Sequence, residues 1–460
     1  MSTKIDKSYL MKWIVTFAVP LLIWLIPTNE VFSSDLRLFL VITVFVILMV
    51  AFEFFNLYIP AMLLPLLYIM TGLATTQVAF SGFASDTAII VFGSLLFANV
   101  LDSSGLLKRV AYWCILKTGG SFVGILYGIV LAGFAITLMT SGNGIYIVAT
   151  LCYGICLAFN LGVSKESALV MLCGAFSSTT IRACIYTPGV MAILLGGANA
   201  VDPSISITWG SFFYHNWPYI VFVALMPIIL VKIFKPNANI ENPKEYFTQQ
   251  YNSLGKMTST EKKAAILTVF LLVALFTQSI HKIGMVVIFS LIPLLSFAPG
   301  INIGTDKDIK NINFSMGFFV VACLGIGSVA TGLGFGNLIT QTLSPILAAA
   351  GNTFTLVAIW LFGVVANFLL TPIAILAAFS APVTQIALDL GINPLGALYV
   401  LMNTLDQIIL PYEYVNYLIF FSFGVMSMKD FAKIMGVKMI VGVIFLVTIL
   451  FGWWNIIGVL

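Results

Sequence analysis

Ser141-Gly142-Asn143-Gly144 and Thr371-Pro372 decide how this chain is read. Each interrupts a long apolar stretch, 121–160 and 353–388 respectively. Glycine and proline break helices, and non-helical backbone at membrane depth is tolerated only where it lines a cavity or is buried in protein. Both stretches therefore read as re-entrant hairpins, each made of two half-helices. An offset of 229 residues carries Gly142 onto Thr371 and Asn143 onto Pro372. The same offset superposes Leu161-Gly162-Val163-Ser164 on Leu390-Gly391-Ile392-Asn393, Ala168-Leu169 on Ala397-Leu398, and Asn99–Gly105 on Ser328–Gly334.

Outward from the hairpins, the 460 residues are 60% hydrophobic and only 8% charged, with a mean hydropathy of +1.09. Soluble domains carry roughly a quarter charged residues, so a soluble enzyme, a disordered chain and a nucleic-acid binder are excluded. A span needs about 20 apolar residues. Eleven runs qualify, near 12–27, 36–52, 56–72, 86–103, 166–190, 217–235, 264–280, 284–298, 315–333, 395–420 and 439–459. Five of them separate the two repeat-related loops, and an odd number inverts the second copy. The fold class is an all-α polytopic membrane protein of about eleven transmembrane helices in two inverted repeats, each with a re-entrant hairpin and an interrupted helix. The division is 1–34 as an N-terminal span, 35–235 as the first repeat, 236–262 as a cytoplasmic surface loop and 263–460 as the second repeat. Segment 106–118 mixes basic residues with Tyr112 and Trp113 and reads as an interfacial helix.

Charge position sets the orientation. With the N-terminus in the cytoplasm, the inner segments hold 18 of the 21 basic residues, Lys429, Lys433 and Lys438 of the loop 427–438 among them. This is the positive-inside bias, and it puts the C-terminus outside; the expected location is a bacterial inner membrane. No small-residue cleavage site follows the first apolar run, which reads as a retained span rather than a signal peptide. Six cysteines without a C-x-x-C pair and two histidines, His215 and His281, support neither a zinc site nor a disulfide framework. No phosphate-binding Gly-Lys-Ser/Thr loop is present, so the chain cannot couple directly to ATP.

Chemistry falls to a few polar residues. A half-helix N-terminus suits an anion and a half-helix C-terminus suits a cation. Ser141, Gly142 and Asn143 offer a hydroxyl, unhindered backbone and an amide; Thr371-Pro372 offers a hydroxyl and free carbonyls. Each hairpin is followed by an interrupted span: Ser177-Ser178-Thr179-Thr180-Ile181-Arg182 leads to Thr187-Pro188-Gly189, and Asp406-Gln407 leads to Pro411-Tyr412-Glu413-Tyr414-Val415-Asn416. Buried charge in hydrocarbon is costly, so Arg182, Asp406 and Glu413 must face a wet cavity or one another. Two readings follow. Arg182 binds a substrate carboxylate or other oxyanion while Asp406 or Glu413 holds a coupling cation or proton, or Arg182 pairs with a carboxylate to brace the unwound segments. Glu53, Asp86 and Asp102 sit at span edges and read as interfacial or capping residues.

The stretch Phe80-Ser81-Gly82-Phe83-Ala84-Ser85-Asp86 through Leu101-Asp102-Ser103-Ser104-Gly105-Leu106-Leu107-Lys108-Arg109-Val110-Ala111 resembles the divalent anion/sodium symporter family. So does the closing segment Tyr417–Phe423, Gly424-Val425-Met426-Ser427-Met428-Lys429-Asp430-Phe431. The resemblance runs from about residue 35 to the end. It implies an eleven-span fold, a dimeric scaffold, a mobile elevator domain, and transport of dicarboxylates, citrate or sulfate with sodium. Thr187-Pro188-Gly189 stands where the family has Thr-Pro-Pro-Asn. The family's Ser-Asn-Thr hairpin tips read Gly142-Asn143-Gly144 and Thr371-Pro372-Ile373 here, and Asn416 stands one position out of register in the second Thr-Pro-Pro-Asn region. Arg182 replaces a small residue of the pattern.

The resulting expectation is a secondary transporter of a small anionic solute, driven by sodium or protons, homodimeric and without cofactor beyond sodium ions. Ser141, Gly142, Asn143, Thr371, Pro372, Arg182, Thr187, Pro188 and Asn416 are assigned to the solute, and Asn143, Ser177, Ser178, Thr371, Asp406 and Glu413 to the coupling ion. The alternative is a cation/proton antiporter titrating at Asp406 and Glu413. A polytopic membrane enzyme is disfavoured because His, Cys and carboxylates do not cluster.

Overall fold

The computed structural model describes residues 7–52, 54–118, 121–237, 243–342, 344–368 and 370–460. Glu53, assigned to a span edge, and Lys4, counted among the inner basic residues, lie outside them. Every regular element among the described residues is helical. Seven helices are long and apolar enough to cross a membrane, or eight when Trp209–Asn216 and Pro218–Phe234, bent by 48°, count as one span. Large apolar side chains such as Leu22, Ile266, Phe270, Ile440 and Ile444 point outward, as the absence of water at a lipid-facing surface allows. Tyr58–Met70 and Met285–Leu295 are shorter, 13 and 11 residues, reaching only about 20 Å or less.

Helix starts in the two halves show a similar spacing. Helices starting at Asp86, Leu106, Phe122 and Lys165 have counterparts starting at Phe314, Phe335, Asn352 and Pro394, which are 228, 229, 230 and 229 residues later. Four helices matter for the site. Phe122–Met139 and Ile145–Ala158 flank the first tip, and Asn352–Asn367 and Pro372–Asp389 flank the second. Lys165–Val201 is one 37-residue span, largely buried, whose helix is interrupted between Ser178 and Pro188. Its counterpart runs Pro394–Thr404, breaks, and resumes at Val415–Ser422. Close packing joins each tip's first helix to the following broken span. A Cβ on Gly133 would fall 1.8 Å from Ser177 Oγ, and one on Gly363 would fall 2.3 Å from Thr404 Oγ1. The second half of each broken span packs across on the other repeat's tip: Pro188–Val201 on Pro372–Asp389, and Val415–Ser422 on Ile145–Ala158.

The last span corrects the sequence map. It begins at Met428, not near 439, because Ser427 Oγ accepts from Asp430 N (3.1 Å) and caps the helix there. Lys438 is therefore no loop residue; it is 1% exposed, inside the span. All six cysteines are free and buried, with Cys152 Sγ lying where a Cβ on Gly174 would be, 2.4 Å away.

The 236–262 loop is more ordered than a plain connector. It contains the helix Pro243–Ser253, with Phe247 fully buried. Arg109, in the helix Leu106–Thr118, holds it in place. Its Nε lies 2.8 Å from Glu261 Oε1, and its other nitrogens donate to the carbonyls of Leu254 and Gly255. Burial raises the Glu261 carboxyl, but hydrogen bonds from Arg109 and Thr258 outweigh it and leave the group below the ordinary carboxylate value. A carboxyl lowered in the folded state stabilises above its unfolded pKa and loses that contribution as pH falls through the folded one. Glu261→Gln should therefore lower the thermal midpoint at pH 7, and the gap to wild type should narrow once pH falls below about 4, where the unfolded carboxyl protonates, and close when the folded one protonates too. Melting curves across pH 3–8 check this; a gap that persists at low pH would show that the carboxylate's charge is not the cause.

Candidate functional site

The two breaks are closed differently. The first is knitted by its own backbone: Thr179 N donates to Ala175 O, Arg182 N to Thr179 O, and Cys184 N to Ile181 O, giving a short 3-10 turn over Thr180–Ala183. The second has backbone turns of its own, Gln407 N to Thr404 O and Glu413 N to Leu410 O, and is held by side chains as well. Glu413 Oε1 accepts from Leu410 N (2.7 Å) and Ile409 N (3.2 Å). Asn367 Nδ2 donates to Thr404 O (2.6 Å), and Lys438 Nζ donates to Asp406 O (2.5 Å).

Around the first break, Gly142, Arg182 and Thr187 meet. Ser141 and Gly142 both have positive φ, 49° and 92°, which folds the tip back so that Gly142 N donates to Thr137 O at 2.8 Å. A Cβ on Gly142 would lie 2.7 Å from Thr187 Oγ1 and 3.2 Å from Arg182 Nε. Arg182 Nε donates to Thr187 Oγ1 at 3.4 Å. Among the described residues no carboxylate lies within ion-pair distance of Arg182, so the bracing pair of the sequence reading does not form.

Arg182 also lines a cavity with Thr179, Thr180, Ala183, Pro372, Ile373, Leu376, Asp406 and Tyr414. The cavity lies between the first break, the second tip and the second break. Its water-accessible space, about 50 Å³, admits only a few waters. Helix Pro372–Asp389 presents its N-terminus there, capped by Thr371 Oγ1 at 3.4 Å from Ala374 N. The positive end of that helix and the Arg182 guanidinium both favour an anion.

Asp406 faces this cavity but is already neutralised. Lys438 Nζ lies 2.6 Å from its Oδ2, and Tyr417 Oη donates to its Oδ1 at 2.6 Å. Thr180 Oγ1 in turn lies 3.3 Å from Tyr417 Oη.

The remaining assigned residues lie elsewhere. Asn143 is exposed and donates to Thr140 O within its own tip. Ser177 and Ser178 bond back to Gly174 O on their own helix. Pro188 is buried at the first turn of its helix. Glu413 Oε2, Asn416 Nδ2, Thr179 Oγ1 and Asn367 Oδ1 are buried without a hydrogen-bond partner among the described residues, so the breaks hold unused polar capacity. Lys438, Tyr417, Thr180 and Asn367 are given no role in the site by the sequence reading. Only Lys438 carried a usable signal, the Ser427-x-x-Asp430 helix start. Among the described residues no group of three His, Cys, Asp or Glu could hold a metal ion.

Two interrupted spans meeting at a cavity that holds Arg182 and Asp406, inside an all-helical membrane domain, define a transporter architecture. The sodium:sulfate symporter transmembrane region matches residues 7–460, and the chain belongs to this divalent anion/sodium symporter family. It is similar to an uncharacterized transporter of Haemophilus influenzae, 26% identical over 210 residues, which are 45% of this chain and 44% of that one. It is also similar to an L-tartrate/succinate antiporter of Shigella dysenteriae, 22% identical over 387 residues, covering 80% and 78%. The chain thus spans less than half the length of the first of these relatives. The solved YdaH transporter of Alcanivorax borkumensis shares the fold at a TM-score of 0.56, with 12% identity, over 98% of this chain and 96% of that one.

Gly142→Ala should strain the positive-φ tip and drive it off Thr187. The expected loss is about 1 kcal/mol or more, seen as a lower thermal midpoint in detergent. An unchanged midpoint would show that the tip does not rest on Thr187.

Proposed function

We propose that this chain is a secondary active transporter of a small anionic solute of the dicarboxylate, citrate or sulfate kind, driven by a sodium or proton gradient in a bacterial inner membrane. The observation that carries the reading is Arg182: a guanidinium without a carboxylate partner among the described residues, at a cavity shared with a helix N-terminus. A planar cation with paired donors matches a carboxylate or sulfate. The relative named for tartrate and succinate supports the same solute class.

The cavity is too small for succinate as it stands. Entry requires the helix beginning at Pro372 to move from Arg182, which fits re-entrant hairpins travelling with the broken spans as one elevator body against a dimeric scaffold. The antiporter alternative is weakened because Asp406 is paired with Lys438 and Glu413 caps the backbone of Ile409 and Leu410.

Reconstituted vesicles should accumulate at least one of labelled succinate, tartrate, citrate or sulfate under a sodium gradient, a pH gradient or solute exchange. Alkalinisation in response to sodium with no anion uptake would overturn the reading. Arg182→Ala should weaken binding of the transported anion at least tenfold, since a charge-assisted hydrogen bond is worth about 1.5–3 kcal/mol. Ligand-dependent thermal stabilisation measures it, and unchanged affinity would make Arg182 a structural residue.

A further inference from the structure

We propose that the ammonium of Lys438 is the resident cation of the second break, so that this half of the transporter holds a tethered charge in place of an exchangeable sodium. The inference deepens the transport reading, on which its functional meaning rests.

The surroundings of Lys438 Nζ are those of a cation site. It touches one carboxylate oxygen, Asp406 Oδ2 at 2.6 Å, and one backbone carbonyl, Asp406 O at 2.5 Å. That carbonyl belongs to the unwound stretch just after Pro394–Thr404, where a helix's C-terminal end attracts positive charge. The rings of Phe176 and Tyr417 complete the shell, each with its centroid 5.6 Å from Nζ. Aromatic faces attract a desolvated cation. Phe176 comes from the first broken span, Tyr417 and Asp406 from the second, and Lys438 from the last span, so one ammonium ties three spans together.

Two features separate this from a chance ion pair. Lys438 is 1% exposed, so its charge cannot reach water and is committed to this site. And Asp406 lines the same cavity as Arg182. A bare carboxylate there would repel an incoming anion; with Lys438 it is neutral overall, and the guanidinium sets the sign of the cavity. Other ionisable groups near the pair are Tyr417, which donates to Asp406, Tyr414 and Arg182, which line the same cavity as Asp406, and Tyr219, which receives a hydrogen bond from Asn403 in the adjoining cavity with Asp406. Any coupling sodium then binds elsewhere in the chain.

The test needs no anion, so its failure is distinct from that of the transport reading. The full chain in detergent is melted in sodium chloride and in choline chloride of equal ionic strength. Lys438→Ala leaves a buried carboxylate and a free carbonyl, donors that suit sodium. Its midpoint in choline should fall by roughly 5 °C. Sodium should restore much of that loss, beyond any sodium effect on wild type. Lys438→Met with Asp406→Asn should lose this extra response. Equal sodium responses in all three proteins would overturn the proposal. Should Lys438→Ala not fold, radiolabelled sodium binding decides between wild type and the neutral double variant. Equal stoichiometry supports the tethered cation, and one sodium fewer in the double variant overturns it.

Discussion

A helix interrupted inside a membrane frees backbone groups that lipid cannot satisfy, and most of what is distinctive here follows from meeting that demand twice. The first break meets it with its own chain, in a short 3-10 turn whose amides find carbonyls three or four residues back. The second forms backbone turns too, Gln407 N to Thr404 O and Glu413 N to Leu410 O, and adds side chains: Glu413 takes two amides, while Asn367 and Lys438 give to carbonyls. The two halves thus share a plan without sharing a chemistry. The first break is left with a guanidinium that has no carboxylate partner among the described residues, and the second with a carboxylate paired to Lys438.

That division explains how a cavity containing both Arg182 and Asp406 can favour an anion. A direct Arg182–Asp406 pair would cancel both charges and leave nothing for a solute. Diverting Asp406 to Lys438 costs desolvation of another charge, which close geometry and two aromatic faces offset. The arrangement is weak evidence for stability, since buried ion pairs are often replaceable by apolar residues. Its value lies in fixing the sign of the site.

Much of the fold was legible because its signals are local. Apolar runs, Gly-Asn-Gly and Thr-Pro interruptions and a fixed offset each act within a few residues, and Lys165 and Pro394 do start equivalent helices. The resemblance at 80–111 and 417–431 pointed to the family that the whole-chain match shows. The candidate site was legible only where a residue lies beside its own interruption, as Gly142, Arg182, Thr187, Pro372 and Asp406 do. Lys438 comes from a different span, and its side chain reaches the break through tertiary packing. It was misread because Lys429 and Lys433 extend a basic loop pattern up to it, although Ser427 and Asp430 mark a helix start about three turns earlier. Tyr417 gave no signal in a chain where 13% of residues are aromatic.

The burial of all six thiols makes the native chain its own quiet background for cysteine chemistry. A reporter cysteine placed on either tip can be labelled without first stripping the natural ones. Cys152, pressed against Gly174 where Ile145–Ala158 meets Lys165–Ser178, is itself a silent marker. It becomes visible to a small maleimide only when those two helices part, so the sequence already carries a clock for the opening of its own core.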